Sequence, residues 1–194
     1  QAAAAGGANI QALAVQMQVH GLVHLRMCEV RQQFAGGHVE DLDRVSFHDP
    51  WPKGAFLYEL RPNSNSIVLV AEALPPGAQP QIVGVTVGWL IVDEVHVATL
   101  SIAPAQRGLG IGRRLLAQTL LLAAEQGAQK SLLEVRISNE EALHLYYGFG
   151  YKAVGLRPGY YQDNHEDALL LTLDPLDREI LQALAAENPQ KAPK

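Results

Sequence analysis

The 194-residue sequence predicts a single α/β domain on one mixed sheet, in the order β-α-α-β-β-β-α-β-α-β-β, with an N-terminal extension and a C-terminal helix. Three features point to it. Residues 66 to 102 form β-rich apolar runs, whereas residues 112 to 126 are dense in Leu and Ala with helical spacing. Turn residues break the chain at Asp49-Pro50-Trp51-Pro52, Arg61–Asn65, Pro75–Pro80 and Asp93-Glu94. No segment repeats internally, which leaves one sheet and not a tandem array.

Taken in order, residues 1–24 are rich in Ala, Gln and Gly and carry no charged side chain. They read as a tail or a loosely docked helix. Residues 25–173 form the domain. Leu25–Arg31 alternates and reads as a strand. His38–Phe47 has helical spacing and ends at the prolines, which restrict themselves and the residue before them. A short helix is expected over Lys53–Leu60. Strands follow at Ser66–Ala73, Ile82–Val92 and Val95–Ile102, an antiparallel meander. Gly112–Gln126 is a largely covered helix with Gly127 as its C-cap. Ser131–Ile137 is a strand. Ser138–Tyr147 is a helix, read with a capping box of Ser138 and Glu141. Tyr151–Leu156 and Ala168–Leu173 are the last strands. Residues 174–194 supply an amphipathic helix, Asp174–Ala186, and a tail.

Composition excludes several roles. Fifteen Lys and Arg against twenty Asp and Glu leave a net charge of −5, so direct nucleic-acid binding is not expected. Ile82–Val92 is the longest apolar stretch, far short of the roughly 20 residues of a membrane span. The one cysteine, Cys28, excludes an internal disulfide framework and a cysteine-based zinc site. It fits a cytoplasmic protein. Because the first residue is Gln1 and not Met, an organelle stroma after removal of a transit peptide is the alternative. The seven histidines do not cluster, and no metal site is expected.

The strongest local signal is Arg107-Gly108-Leu109-Gly110-Ile111-Gly112, between a strand and a helix. Closely spaced glycines let backbone approach an anion, and a helix N-terminus offers unpaired N–H groups. The Walker pattern fails, because no Lys-Ser or Lys-Thr follows. The dinucleotide fingerprint fails too, because Arg113 stands where its third glycine belongs.

Arg107-x-x-Gly110-x-Gly112, following Thr99-Leu100-Ser101-Ile102, resembles the acetyl-CoA loop of the GCN5-related N-acetyltransferases. Asn139-x-x-Ala142-x-x-Leu145-Tyr146-x-x-x-Gly150-Tyr151 is similar to that family's second conserved stretch. Glu134–Asn139, Trp51-Pro52, Gly159-Tyr160-Tyr161 and Glu166-Asp167-Ala168 resemble the subgroup that acetylates the N-terminal alanine of a ribosomal protein. The resemblance covers roughly residues 27–173. Tyr151 departs from the usual phenylalanine, and the Pro75–Pro80 loop is longer than the family pattern leads one to expect.

The resemblance implies acetyl-CoA as co-substrate and direct transfer to an amine. Backbone groups of Leu100, Ser101 and Ile102 are expected to hold the pantetheine arm. The N–H groups of Gly108, Leu109, Gly110, Ile111, Gly112 and Arg113 would hold the pyrophosphate, with Arg107 adding charge. Asn139 would bond the arm from the start of its helix. Glu134 is the expected general base and Tyr146 the general acid. Glu134 alternates with Leu133 and Val135, so it points away from the face they cover; as a plain surface residue it would pair with Arg136. Tyr160 and Tyr161, read as loop residues, are expected to line the acceptor groove with Trp51 near them.

The expected partner is an acceptor protein N-terminus, a ribosomal protein being the subgroup's choice, and the chain is expected to be a monomer or weak dimer. Other readings are a lysine or small-amine acetyltransferase, a non-catalytic acyl-CoA sensor, and a structural protein whose glycine loop is only a turn. Glu134 and Tyr146 together count against the sensor.

Overall fold

In the computed structural model the described residues are 15–19, 23–29, 38–47, 49–61 and 64–186, the first two segments by their backbone alone. Chain order is β1 (Val15–Val19), β2 (Val23–Glu29), α1 (His38–Ser46), α2 (Ala55–Glu59), β3 (Ser66–Leu74), β4 (Gln81–Ile91), β5 (Glu94–Ile102), a 3-10 turn (Pro104–Gln106), α3 (Ile111–Glu125), β6 (Lys130–Arg136), α4 (Glu140–Gly148), β7 (Lys152–Tyr161), β8 (Glu166–Leu173) and α5 (Arg178–Ala186). The eight strands form one sheet in the order β1-β2-β3-β4-β5-β6-β8-β7. Every neighbouring pair is antiparallel except β5 and β6.

The predicted order is present with one strand added. Val15–Val19 is neither tail nor helix: it pairs with β2, from Val15 opposite Met27 to Val19 opposite Val23. Val-Gln-Met-Gln-Val does alternate, but for only five residues inside an Ala- and Gln-rich stretch. The capping box is also corrected. Asn139, not Ser138, is the N-cap of α4, and its Oδ1 accepts from Ala142 N at 3.1 Å. Ser138 N donates instead to Glu166 Oε1 at 2.8 Å. The terminal helix begins at Arg178 and not Asp174, because Asp177 Oδ1 accepts from Glu179 N and Ile180 N and so starts the first turn. Tyr160 and Tyr161 end β7; they are strand and not loop residues.

The two faces of the sheet carry separate cores. On one face α3 buries Leu115, Leu116 and Leu120, and α5 adds Leu181 and Leu184. β4 meets α3 there with Gly84 and Gly88. A Cβ on Gly84 would stand 2.8 Å from Leu115 Cδ1, so any other residue would have to displace the buried Leu115. On the other face Val39, Leu42 and Phe56 of α1 and α2 cover Val68, Val70, Val85 and Val87. The α1–α2 loop is fixed by two acidic side chains of α1: Asp43 Oδ2 accepts from Trp51 N and Glu40 Oε1 from Gly54 N, both at 2.7 Å.

Two features of β5 shape the site. Val87 pairs with Thr99 but Gly88 with Val97, so Ala98 is an extra residue in β5. Alternation therefore slips. Val95 and Val97 face the α3 core, as do Leu100 and Ile102, while Ala98 packs on the opposite core. Secondly, β5 pairs with β6 only from Glu94 to His96, opposite Lys130 to Leu132. Beyond that the two parallel strands separate, and β6 continues against β8 alone.

Candidate active site

The separation leaves one edge of β5 without a ladder from Val97 to Ile102. Ala103 N donates to Val83 O at 2.9 Å, on the β4 side. Alternation along the strand turns the amides of Leu100 and Ile102 the other way, into the gap. Arg107 Nε reaches round to donate to Ile102 O at 3.3 Å. Ser101 faces Val85 in the β4 ladder, and its buried hydroxyl has no hydrogen-bond partner. Of the three residues expected to offer backbone, Leu100 and Ile102 therefore face the gap and Ser101 does not.

The glycine loop closes the same end. Gly108 and Gly110 take positive φ, 74° and 73°, on either side of Leu109, which packs into the core. A Cβ on Gly108 would meet nothing within 4 Å, so the outer side of the loop is open. Gly110 is the N-cap of α3, whose first helical bond runs from Arg114 N to Gly110 O. The N–H groups of Ile111, Gly112 and Arg113 precede that bond and have no partner within the helix. With the helix dipole they make an anion site. Among the loop's arginines only Arg107 is exposed. Arg113 lies over the Phe149 ring, 5.6 Å from its centroid, and Arg114 is buried, which lowers its pKa.

α4 completes this side. Leu145 and Ile102 both approach Gly112, so β5, α3 and α4 converge at the gap. The cap uses Asn139 Oδ1, so its Nδ2 is not spent on the helix. Tyr146 is 8% exposed and packs edge-on against Tyr151 at 5.6 Å. Burial pushes its phenol well above the usual range, with Tyr161 adding to the effect. Tyr151 in turn shares a buried hydroxyl bond of 2.6 Å with Ser131.

Glu134 points to the face opposite α3, as alternation predicts. Its partner is Arg157 of β7, whose Nη1 donates to Oε1 at 3.0 Å, and not Arg136. Arg136 serves the β7–β8 turn instead. Its Nη2 binds both oxygens of Asp163 at 2.9 Å, and its Nη1 binds Glu166 at 3.2 Å. Its guanidinium lies 3.7 Å over the Tyr161 ring. Tyr161 meets Tyr160 edge-on at 5.1 Å. Burial raises the Tyr161 phenol to about 12 against the pull of Arg136, and Glu134 is among the charges that act on it. Arg157 also lies 5.4 Å from the Tyr160 ring centroid, so Glu134, Tyr160 and Tyr161 share one neighbourhood, while Tyr146 packs in the α3 core.

Trp51 does not join them. It stacks on Phe56 at 4.9 Å and on Trp89 at 6.1 Å. Trp89 pairs with His96, at the closed end of the β5–β6 junction, whereas Tyr161 pairs with Glu166 at the open end. Glu59 fixes the stack by accepting from Trp89 Nε1 at 3.0 Å and from the Ser66 hydroxyl. Sequence reasoning gave Arg136 to Glu134 from their shared face and so missed both Arg157 and the acids of the β7–β8 turn.

An open strand edge, a glycine loop and a helix N-terminus meet around one gap, an arrangement that fits an acyltransferase. Residues 37–151 match the Acetyltransferase (GNAT) family, and the chain belongs to that family. It is an N-acetyltransferase of the GNAT kind. Over 134 residues it is 35% identical to a Bacillus subtilis (strain 168) protein provisionally named [ribosomal protein bS18]-alanine N-acetyltransferase, covering 69% of this chain and 85% of the relative. It is 39% identical over 130 residues to the N-alpha-acetyltransferase RimI of Mycobacterium tuberculosis (strain ATCC 25618 / H37Rv), covering 66% and 78%. Its fold is similar to that of Arabidopsis thaliana NAA60 in complex with acetyl-CoA, with TM-score 0.70, 16% identity and 77% and 99% of the chains covered. Among the described residues no three His, Cys, Asp or Glu side chains are grouped to hold a metal, and no helix is long and apolar enough to cross a membrane.

Proposed function

We propose that the protein acetylates the α-amine of a protein N-terminus by direct transfer. The observation that carries this reading is Glu134 on β6, beside the Tyr160–Tyr161 pair and on the face opposite α3. Cofactor-side and acceptor-side groups then meet from opposite faces at the β5–β6 gap. The names of the relatives support a protein N-terminus as acceptor, and a ribosomal protein beginning with alanine as the first to test.

Acetyl-CoA supplies an activated thioester carbonyl. The chain's residues do the rest. Amides of Leu100 and Ile102 and the Nδ2 of Asn139 bind the pantetheine arm. The N–H groups from Gly108 to Arg113 bind the pyrophosphate. Glu134 takes the amine proton as the C–N bond forms, and Tyr146 gives a proton to the sulfur as the C–S bond breaks. An α-amine has a pKa of about 8. The phenol of Tyr146, raised by burial, keeps its proton at about pH 8, where such an amine becomes neutral. Trp51 acts indirectly, by holding the α1–α2 loop on β4.

A thiol-release assay with acetyl-CoA tests the acceptor. Short peptides would begin with Ala, Ser, Met or Gly, each with and without an internal lysine, and mass spectrometry would place the acetyl group. The expected product is Nα-acetylated Ala peptide. Acetyl on lysine alone would overturn the acceptor and leave the family intact.

A further inference from the structure

We infer that Arg136 is the positioning residue for the acceptor, and that it acts through Tyr161. This rests on the reading of Tyr160 and Tyr161 as the acceptor lip. The β7–β8 turn, Gln162 to His165, folds around one guanidinium. Besides its bonds to Asp163 and Glu166, Nη1 donates to Asn164 Oδ1 at 3.0 Å. The flat face of the same group carries the Tyr161 ring. Glu166, held by Arg136 through Oε2, accepts from Ser138 N through Oε1, which ties the turn to the residue before the α4 cap. Asp167 adds a bond from Gly159 N at 2.8 Å.

No other side-chain type does all of this. One nitrogen on both oxygens of Asp163, the other on a second acid and an amide, and a ring stacked on the plane between them require a planar fork. A lysine would keep the charge and lose the plane. Without the cation, Asp163 and Glu166 would repel each other within one short turn. The ring of Tyr161 would then lose its platform and Tyr160 its edge-on neighbour. A lip already set in its binding geometry costs less to order when an acceptor arrives. The loss is therefore expected in KM for the acceptor and not in kcat.

The test uses R136Q, R136K, Y161L and the R136Q/Y161L double variant, with peptide turnover, acetyl-CoA Kd and amide exchange over residues 159–166. Wild-type turnover on the Ala peptide first establishes the acceptor reading; no turnover would defeat that reading alone. R136Q is expected to raise acceptor KM about tenfold, with kcat and acetyl-CoA Kd within about twofold. R136K is expected not to rescue it, and the double variant to be no worse than either single one. Exchange in the turn should rise in both R136Q and R136K whether or not peptides are turned over. Rescue by lysine, KM losses that multiply in the double variant, or unchanged exchange would overturn the proposal.

Discussion

Gly84→Ala should weaken both the fold and the hold on acetyl-CoA, and the two losses share a cause. The new Cβ would stand 2.8 Å from Leu115 Cδ1, 2.9 Å from Ile102 Cδ1 and 3.3 Å from Ile111 Cγ2. Overpacking of this kind costs about 1–3 kcal/mol. Stiffening the unfolded chain returns about 0.4–1 kcal/mol, so the clash wins. At about 2–4 °C per kcal/mol for a chain of this size, Tm should fall by several degrees. Ile102 ends β5 and Ile111 opens α3, so relief of the clash moves the two groups that flank the glycine loop. Gly88→Ala is the control. Its Cβ would meet Thr119 and Val95 at 3.0 Å, further along α3 and β5 from the loop. Thermal melts with and without acetyl-CoA separate the effects, since ligand at 100 times its Kd adds about 2.7 kcal/mol. The expected result is a smaller ligand-induced shift for Gly84→Ala and a full one for Gly88→Ala. Equal shifts in both variants would refute the coupling of this approach to the loop.

Gly110→Asp should separate stability from binding. Left-handed backbone costs a non-glycine residue about 1–2 kcal/mol, which a carboxylate at the helix N-terminus offsets by about 0.3–1 kcal/mol. Tm should fall by at most several degrees, while acetyl-CoA Kd, by calorimetry, rises at least about tenfold from charge repulsion. Glu134→Gln should lower kcat by about 10²–10⁴ with acetyl-CoA Kd nearly unchanged; wild-type kcat would remove Glu134 as base. The Glu166 carboxyl is held down at about 2 from 4.5, first by the Ser138 hydroxyl and then by its N–H. A lowered carboxyl pKa stabilises the fold above 4.5, and that share is lost as pH falls from 4.5 to about 2. Melts across this window should show a steeper loss for wild type than for Glu166→Gln, and parallel curves would deny Glu166 that role.

The parts of this molecule that local pattern determines were readable. The element order, the loop at Arg107–Gly112 and the outward turn of Glu134 follow from period and glycine spacing alone. What escaped depends on partners far off in sequence. Ser138 and Asn139 are both capping residues; Asn139 takes the cap, while the Ser138 N–H goes to Glu166, 28 residues on. Glu134 finds Arg157, 23 residues away, because β7 returns beside β8. Trp51 lies far from Tyr161 because it stacks on Trp89, whose place is set by the β4–β5 register. The slip at Ala98 was legible in principle: the large apolar residues of β5 fall at 95 and 97, then at 100 and 102.

That slip bears on why a sheet should open here at all. The closed end of the β5–β6 junction is pinned by the Glu94–Lys130 ion pair at 2.7 Å and by Gln129 N donating to Asp93 O at 2.8 Å. Two residues past the last paired position, Ala98 is inserted. An inserted residue bends its strand and increases local twist, and a strand so bent diverges from a straight parallel neighbour. It also resets which amides face the neighbour, so that those of Leu100 and Ile102 are turned into the gap that the bend creates. Burial then decides what the gap admits. One face is filled by the α3 core and ends in the glycine loop, which suits an anion. The other carries Glu134 and the tyrosine lip, which suits an amine. A single added residue in β5 thus accounts for the opening and for the two amides that face it.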